Sequence, residues 1–167
     1  MRAGQLVSKT HPRIVFRGAL DSLEADILEA QLLAADLNEE FSRNALGELL
    51  LFVRDIMSAE VNERPAAQVK LFGLTLDELH DQTHNVKDFF GFSHPVPDHA
   101  MGVLPIRLNT LRARLREVEI TAVRAFSCET EQKRDDIVYA LNRLSSAVYW
   151  LYCRSLKEPA DPKKDPA

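Results

Sequence analysis

Cysteine is almost missing from this sequence: Cys128 and Cys153 are the only two in 167 residues. They are far apart and form neither a CxxC pair nor a zinc-ligand spacing. This excludes a disulfide framework and fits buried thiols in a reducing cytosol. A surplus of positive charge is also lacking, with 21 Lys and Arg against 25 Asp and Glu and a net charge of -4. No global basic field draws the chain to nucleic acid or anionic lipid, so an anionic ligand has to be met by a local cluster. No apolar run approaches the roughly 20 residues that cross a bilayer. The opening MRAGQLVSKTHPR has no hydrophobic stretch of a secretory signal. We therefore expect a cytoplasmic protein with no membrane and no nucleic-acid partner. Convincing period-two alternation and internal repeats are absent as well.

What is present is helical periodicity. With 46% hydrophobic and 28% charged residues, the chain can build one sizeable core. We expect a single domain over residues 1–158, followed by a disordered tail over 159–167, because KEPADPKKDPA is too polar and proline-rich to fold alone. Leu20, Leu23, Ile27, Ala30, Ala34 and Leu37 recur at steps of three and four, predicting a first helix from Ala19 to Leu37. Its start is assigned to Gly18 and to Asp21 with Glu24 three residues on, a spacing like that of a capping box. A second helix carries Leu46, Leu49, Leu50, Val53, Ile56 and Met57 and stops near Asn62, before Pro65. After an apolar patch, VKLFGL, the segment LTLDELHDQTHNV predicts a shorter third helix capped by Thr75 or Asp77. FFGFSHPVPDHAMG reads as an ordered loop, since flexible linkers are poor in Phe. Leu104, Leu108, Leu111, Leu115, Val118 and Ala122 form a fourth seam, and Ile137, Leu141, Leu144, Val148 and Leu151 a fifth. The fold class is an all-α, up-and-down bundle of four to five helices.

Polar residues border these seams. Arg112, Arg116 and Glu119 fall within about 40° of one another on a helix, at 100° per residue. Two guanidiniums one turn apart make a local anion site, although the same spacing also suits a solvated surface ladder. Asn142 and Arg143 stand inside the fifth helix, where Asn competes with backbone hydrogen bonds and needs a partner, either a neighbouring helix or a polar ligand. Asp21 is read as a helix-start acid. His80 and His84 have i, i+4 spacing that can present two imidazoles to a metal, with His94 and His99 downstream, but no HExxH motif is present.

Four stretches together resemble the ATP:cob(I)alamin adenosyltransferases, and within them the ethanolamine-utilization type more than the propanediol-utilization type. They are KTHPRIVFRGALDSLEA, GFSHPVPDHA, LRARLREVE and ALNRLSS, the last ending in Ser146 where the propanediol type has Asp. The resemblance implies a helical bundle that binds ATP with Mg²⁺ near a subunit interface and cobalamin close by, both as substrates. Lys9, Arg13, Arg116 and Asn142 would hold the triphosphate, supported by Glu119 and Arg143. Arg112 would pair with Asp21 across an interface, making Arg112, Arg116 and Asp21 the catalytic set. Phe89, Phe90, Phe92 and His94 would face the corrinoid. Divalent iron or zinc is admissible but not expected. The implied partners are further copies of the chain, as trimer or dimer, and a cobalamin-dependent lyase, with association to a bacterial microcompartment conceivable. The alternatives are a non-catalytic corrinoid-binding or delivery protein and a metal-binding bundle centred on His80 and His84.

Overall fold

A proline at the first helical position, with its φ already suited to a helix, opens the structure. In the computed structural model, which describes residues 8–127 and 133–157, helix α1 spans Pro12–Asp36. The side chain of His11 caps it by accepting from the amide of Arg13. This corrects the expected start at Ala19. Asp21 and Glu24 lie well inside α1, so neither is an N-cap, and Asp21 is exposed. Arg13 occupies the next buried position on the stripe of Phe16, Leu20 and Leu23. A charged residue there conceals the first turns from any reading based on apolar periodicity.

Helix α2 spans Glu40–Val61 and ends at Asn62, as its pattern predicts. The VKLFGL patch forms a small hairpin, β1 Lys70–Leu71 paired antiparallel with β2 Leu74–Thr75. Its turn places Phe72 and Gly73 at positive φ, where glycine costs nothing and Phe is uncommon. The strands are too short to register as alternation. Helix α3, Leu76–His84, starts with a full capping box: Thr75 accepts from the Glu78 amide and Glu78 accepts from the Thr75 amide. The five-residue α4, Val86–Phe90, takes Phe89 and Phe90 out of the expected loop and ends at Gly91, whose φ of 85° supplies the left-handed cap. The rest of that loop is irregular apart from one 3₁₀ turn, His99–Met101. Helices α5, Val103–Phe126, and α6, Asp135–Ser155, complete the chain. Cys128 and the 159–167 tail lie outside the described residues.

Helices α1, α2, α5 and α6 form the bundle, and α3 lies along α6. Phe16 meets Phe126, while Asp26 pairs with Arg114, so α1 and α5 are antiparallel. Glu24 pairs with Arg54, which makes α1 and α2 antiparallel too. It follows that α2 and α5 run the same way, and the hairpin, α3 and α4 carry the chain back between them. The core is one continuous cluster running from Phe16 to Cys153. No helix among the described residues is long and apolar enough to cross a membrane.

One end of the bundle is closed by buried charge. Glu60 is fully buried and accepts from Arg13 Nε at 2.6 Å and from Arg17 Nε. Beside it, Arg134 donates to the Ala59 and Arg64 carbonyls and pairs with Asp136 at 2.9 Å. Replacing Glu60 removes the buried carboxylate that Arg13 and Arg17 share, so Glu60→Ala is expected to cost about 3–5 kcal/mol, read by urea unfolding. The Arg134 guanidinium is the main cause that lowers the Asp136 pKa to about 2. A carboxyl depressed in the folded state stabilises fully above its unfolded value, and that contribution is lost as pH falls through the folded value. Stability should therefore drop between pH about 4 and about 2. With screening at this partly exposed site, the drop is about 1 kcal/mol. Unfolding curves of Asp136→Asn, which should lack this component, check it.

Candidate nucleotide-facing site

The polar residues flagged on α5 and α6 meet across the groove between the two helices. Asn142 Nδ2 donates to Glu119 Oε1 at 3.1 Å, and Arg143 Nη1 donates to Asn142 Oδ1 at 3.1 Å. Arg143 Nε then donates to Asp77 Oδ1 on α3 at 2.9 Å. The Tyr139 hydroxyl donates to the same oxygen at 2.7 Å, and the Arg143 guanidinium lies over the Tyr139 ring, 4.9 Å from its centroid. A continuous relay of hydrogen bonds thus joins α5, α6 and α3. Asp77 is exposed, yet its pKa is held below the usual carboxylate value, first by the Tyr139 hydroxyl and then by Arg143. It is therefore charged at neutral pH.

Arg116 is exposed on α5, one turn before Glu119, and makes no hydrogen bond or ion pair among the described residues. A guanidinium beside a relay that has satisfied its own partners is available to an anion. Arg112 is half-buried; it donates to Asn109 Oδ1 at 3.2 Å and lies 5.2 Å from the Tyr149 ring centroid. Its Nε is buried without a hydrogen-bond partner among the described residues. Asp21 is on α1, and among the described residues it makes no contact with Arg112. Lys9 is exposed just ahead of α1. Arg13 is turned inward to Glu60, with its guanidinium also over the ring of Phe126 at the end of α5.

The residues expected to face a corrinoid separate by exposure. Phe90 is buried and packs edge-on to Trp150, and Phe92 packs on Phe90 at 6.0 Å. Phe89 is half exposed, and His94 is exposed with Nδ1 2.9 Å from the Tyr149 hydroxyl and its ring stacked on that tyrosine. Burial raises the Tyr149 hydroxyl to about 12 and the neighbouring Cys153 thiol to about 11, so both stay protonated and the thiol is unreactive.

His80 and His84 touch, with ring centroids 4.3 Å apart, but His80 Nδ1 is 3.1 Å from Ser146 Oγ. Burial, then Arg143 and His84, lower the His80 pKa, keeping its imidazole neutral near pH 7. Among the described residues, no group of three His, Cys, Asp or Glu side chains could hold a metal.

Sequence reasoning overlooked Asp77, Tyr139 and Tyr149. Tyr139, Asn142, Arg143 and Ser146 follow helical spacing on one face of α6, and that stripe was the available signal. Asp77 carried none, because it joins the site only through the crossover that lays α3 on α6. A cleft of about 630 Å³ opens beside it, lined by Ala66, Val69, Lys70, Leu76 and Tyr139 among others.

No solved structure matches this chain. The corrinoid adenosyltransferase EutT of Salmonella typhimurium strain LT2 is 35% identical over 150 residues, covering 89% of this chain and 55% of that protein. The corrinoid adenosyltransferase EutT of Escherichia coli strain K12 is 32% identical over 166 residues, covering 98% of this chain and 61% of that protein. The chain thus spans less than two thirds of the length of these relatives. The cobalamin adenosyltransferase profile matches residues 1–155, nearly all of the helical bundle and every residue of the relay. By that match this chain belongs to the cobalamin adenosyltransferase family.

Proposed function

We propose that the chain transfers the 5′-deoxyadenosyl group of ATP to cob(I)alamin. The observation that carries this reading is Arg116: an exposed guanidinium with no partner among the described residues, beside the ordered Glu119–Asn142 pair, in an acidic chain that must assemble any phosphate site locally. In this reaction the Co(I) electron pair attacks C5′ of ATP, the C5′–O bond breaks, and its electrons leave on the triphosphate. A carbon–cobalt bond forms, and no proton needs to be taken by the protein. The nucleophile belongs to the corrinoid substrate, so the chain's tasks are placement and neutralisation of the charge growing on the leaving group.

Arg116, the remaining N–H of Asn142 and Lys9 serve that leaving triphosphate. Glu119 offers a carboxylate to the Mg²⁺ that accompanies ATP. Arg13 joins the set only by exchanging Glu60 for phosphate. Phe89 and His94, the exposed members of the corrinoid set, face the second substrate. Arg112 reaches Asp21 of a neighbouring copy. The similarity to the EutT proteins supports a role in ethanolamine utilization, with the product passed to a cobalamin-dependent lyase.

In an anoxic assay with Mg·ATP and chemically reduced cob(I)alamin, Arg116→Ala should lose at least about 100-fold in turnover with its circular-dichroism spectrum unchanged. Full activity in that variant removes Arg116 from the site. Asp21→Ala should lower the assembly state measured by light scattering, or lower activity. A variant unchanged in both shows that Asp21 makes no functional contact between copies.

A further inference from the structure

We infer that Asp77 is a positioning residue for nucleotide binding, acting on Asn142 through Arg143; this rests on the nucleotide reading given above. The argument is one of donor and acceptor counting. Arg143 can only donate, and the carboxylate of Glu119 can only accept. The Asn142 amide lies between them, so its oxygen must face Arg143 and its nitrogen must face Glu119, as observed at 3.1 Å on each side. One N–H of Asn142 is left over, and its direction is fixed only as long as Arg143 stays in place.

Arg143 is long and flexible, and among the described residues three contacts hold it. Two come from its own helix: the Asn142 oxygen and the Tyr139 ring one turn away. Asp77 is the only one of the three from another element, at 2.9 Å from Nε. The same Asp77 oxygen accepts the Tyr139 hydroxyl, so the ring under the guanidinium is tethered by Asp77 as well. Without that carboxylate both Arg143 and Tyr139 regain rotamer freedom, and the amide of Asn142 can flip. Asp77 is in turn placed by the Thr75–Glu78 capping box, which sets the first turn of α3 against α6.

The test uses the full chain and compares Asp77→Ala, Asn142→Ala and the double variant by calorimetric titration with Mg·ATP in the absence of corrinoid. Asp77→Ala should weaken ATP about tenfold, in line with the loss of an outer-shell orienting partner. That loss should vanish in the Asn142→Ala background, because the two residues act in series. Asp77→Asn, which keeps a carbonyl oxygen for Arg143, should recover part of the affinity and guards against a folding defect in the alanine variant. In parallel, the Asn142 side-chain amide resonance of the ligand-free protein should shift in Asp77→Ala.

Unchanged affinity in Asp77→Ala, or an equal loss in the Asn142→Ala background, overturns the inference. If the unmutated chain binds no ATP, the nucleotide reading fails instead. Asp77 is then judged by the Asn142 resonance alone, and an unmoved signal in Asp77→Ala overturns its control of that amide.

Discussion

The amide of Asn142 can satisfy Glu119 and Arg143 together in one orientation only. Much of the functional side of the structure follows from that constraint. It requires α5 and α6 to stand at a fixed height relative to each other, because Glu119 and Asn142 approach from different helices. It requires Arg143 to be held from outside α6, which gives the packing of α3 along α6 a purpose beyond covering apolar surface. Arg116, on the same stripe as Glu119, is exposed and remains outside these bonds among the described residues. The polar framework joining α5, α6 and α3 is therefore ordered, with one exposed guanidinium beside it.

A buried polar cluster closes one end of the bundle. Glu60, Arg13, Arg17 and Arg134 tie α1, α2 and the start of α6 together in a buried polar end. That cluster fixes the register of the helices without using the residues of the α5–α6 groove. The leucine seams fill the space between, and α1, α2, α5 and α6 each pack against antiparallel neighbours. Rigid helices carry Arg116, Glu119, Asn142 and Arg143, which sharpens their placement; the corrinoid candidates Phe89 and His94 sit at or beyond α4, where the chain is irregular and shape can adapt.

The seams of α2, α5 and α6 were legible because Leu, Val and Ile recur at helical spacing and nothing polar interrupts the stripe. The first turns of α1 were not, since Arg13 sits where an apolar residue is expected and is compensated by Glu60 from 47 positions away. The hairpin of residues 70–75 was invisible because its strands hold two residues each. Within the site, Asn142, Arg143, Arg116 and Glu119 stood out as polar groups beside apolar seams. Asp77 did not, because a surface acid in the first turn of a helix is unremarkable until the fold lays that turn against Arg143. The family resemblance rested on four short segments, two of them around those same residues, and the profile match over residues 1–155 bears it out.

The most direct measurement of the central claim follows the carbon atom itself. ATP labelled with ¹³C at C5′ is incubated anoxically with the chain, Mg²⁺ and cob(I)alamin, and the products are read by NMR and by their response to light. The account predicts that the label moves to a light-sensitive, cobalt-bound carbon while triphosphate leaves intact in equal amount. Label that stays in the nucleotide, or triphosphate replaced by ADP and phosphate, would contradict it.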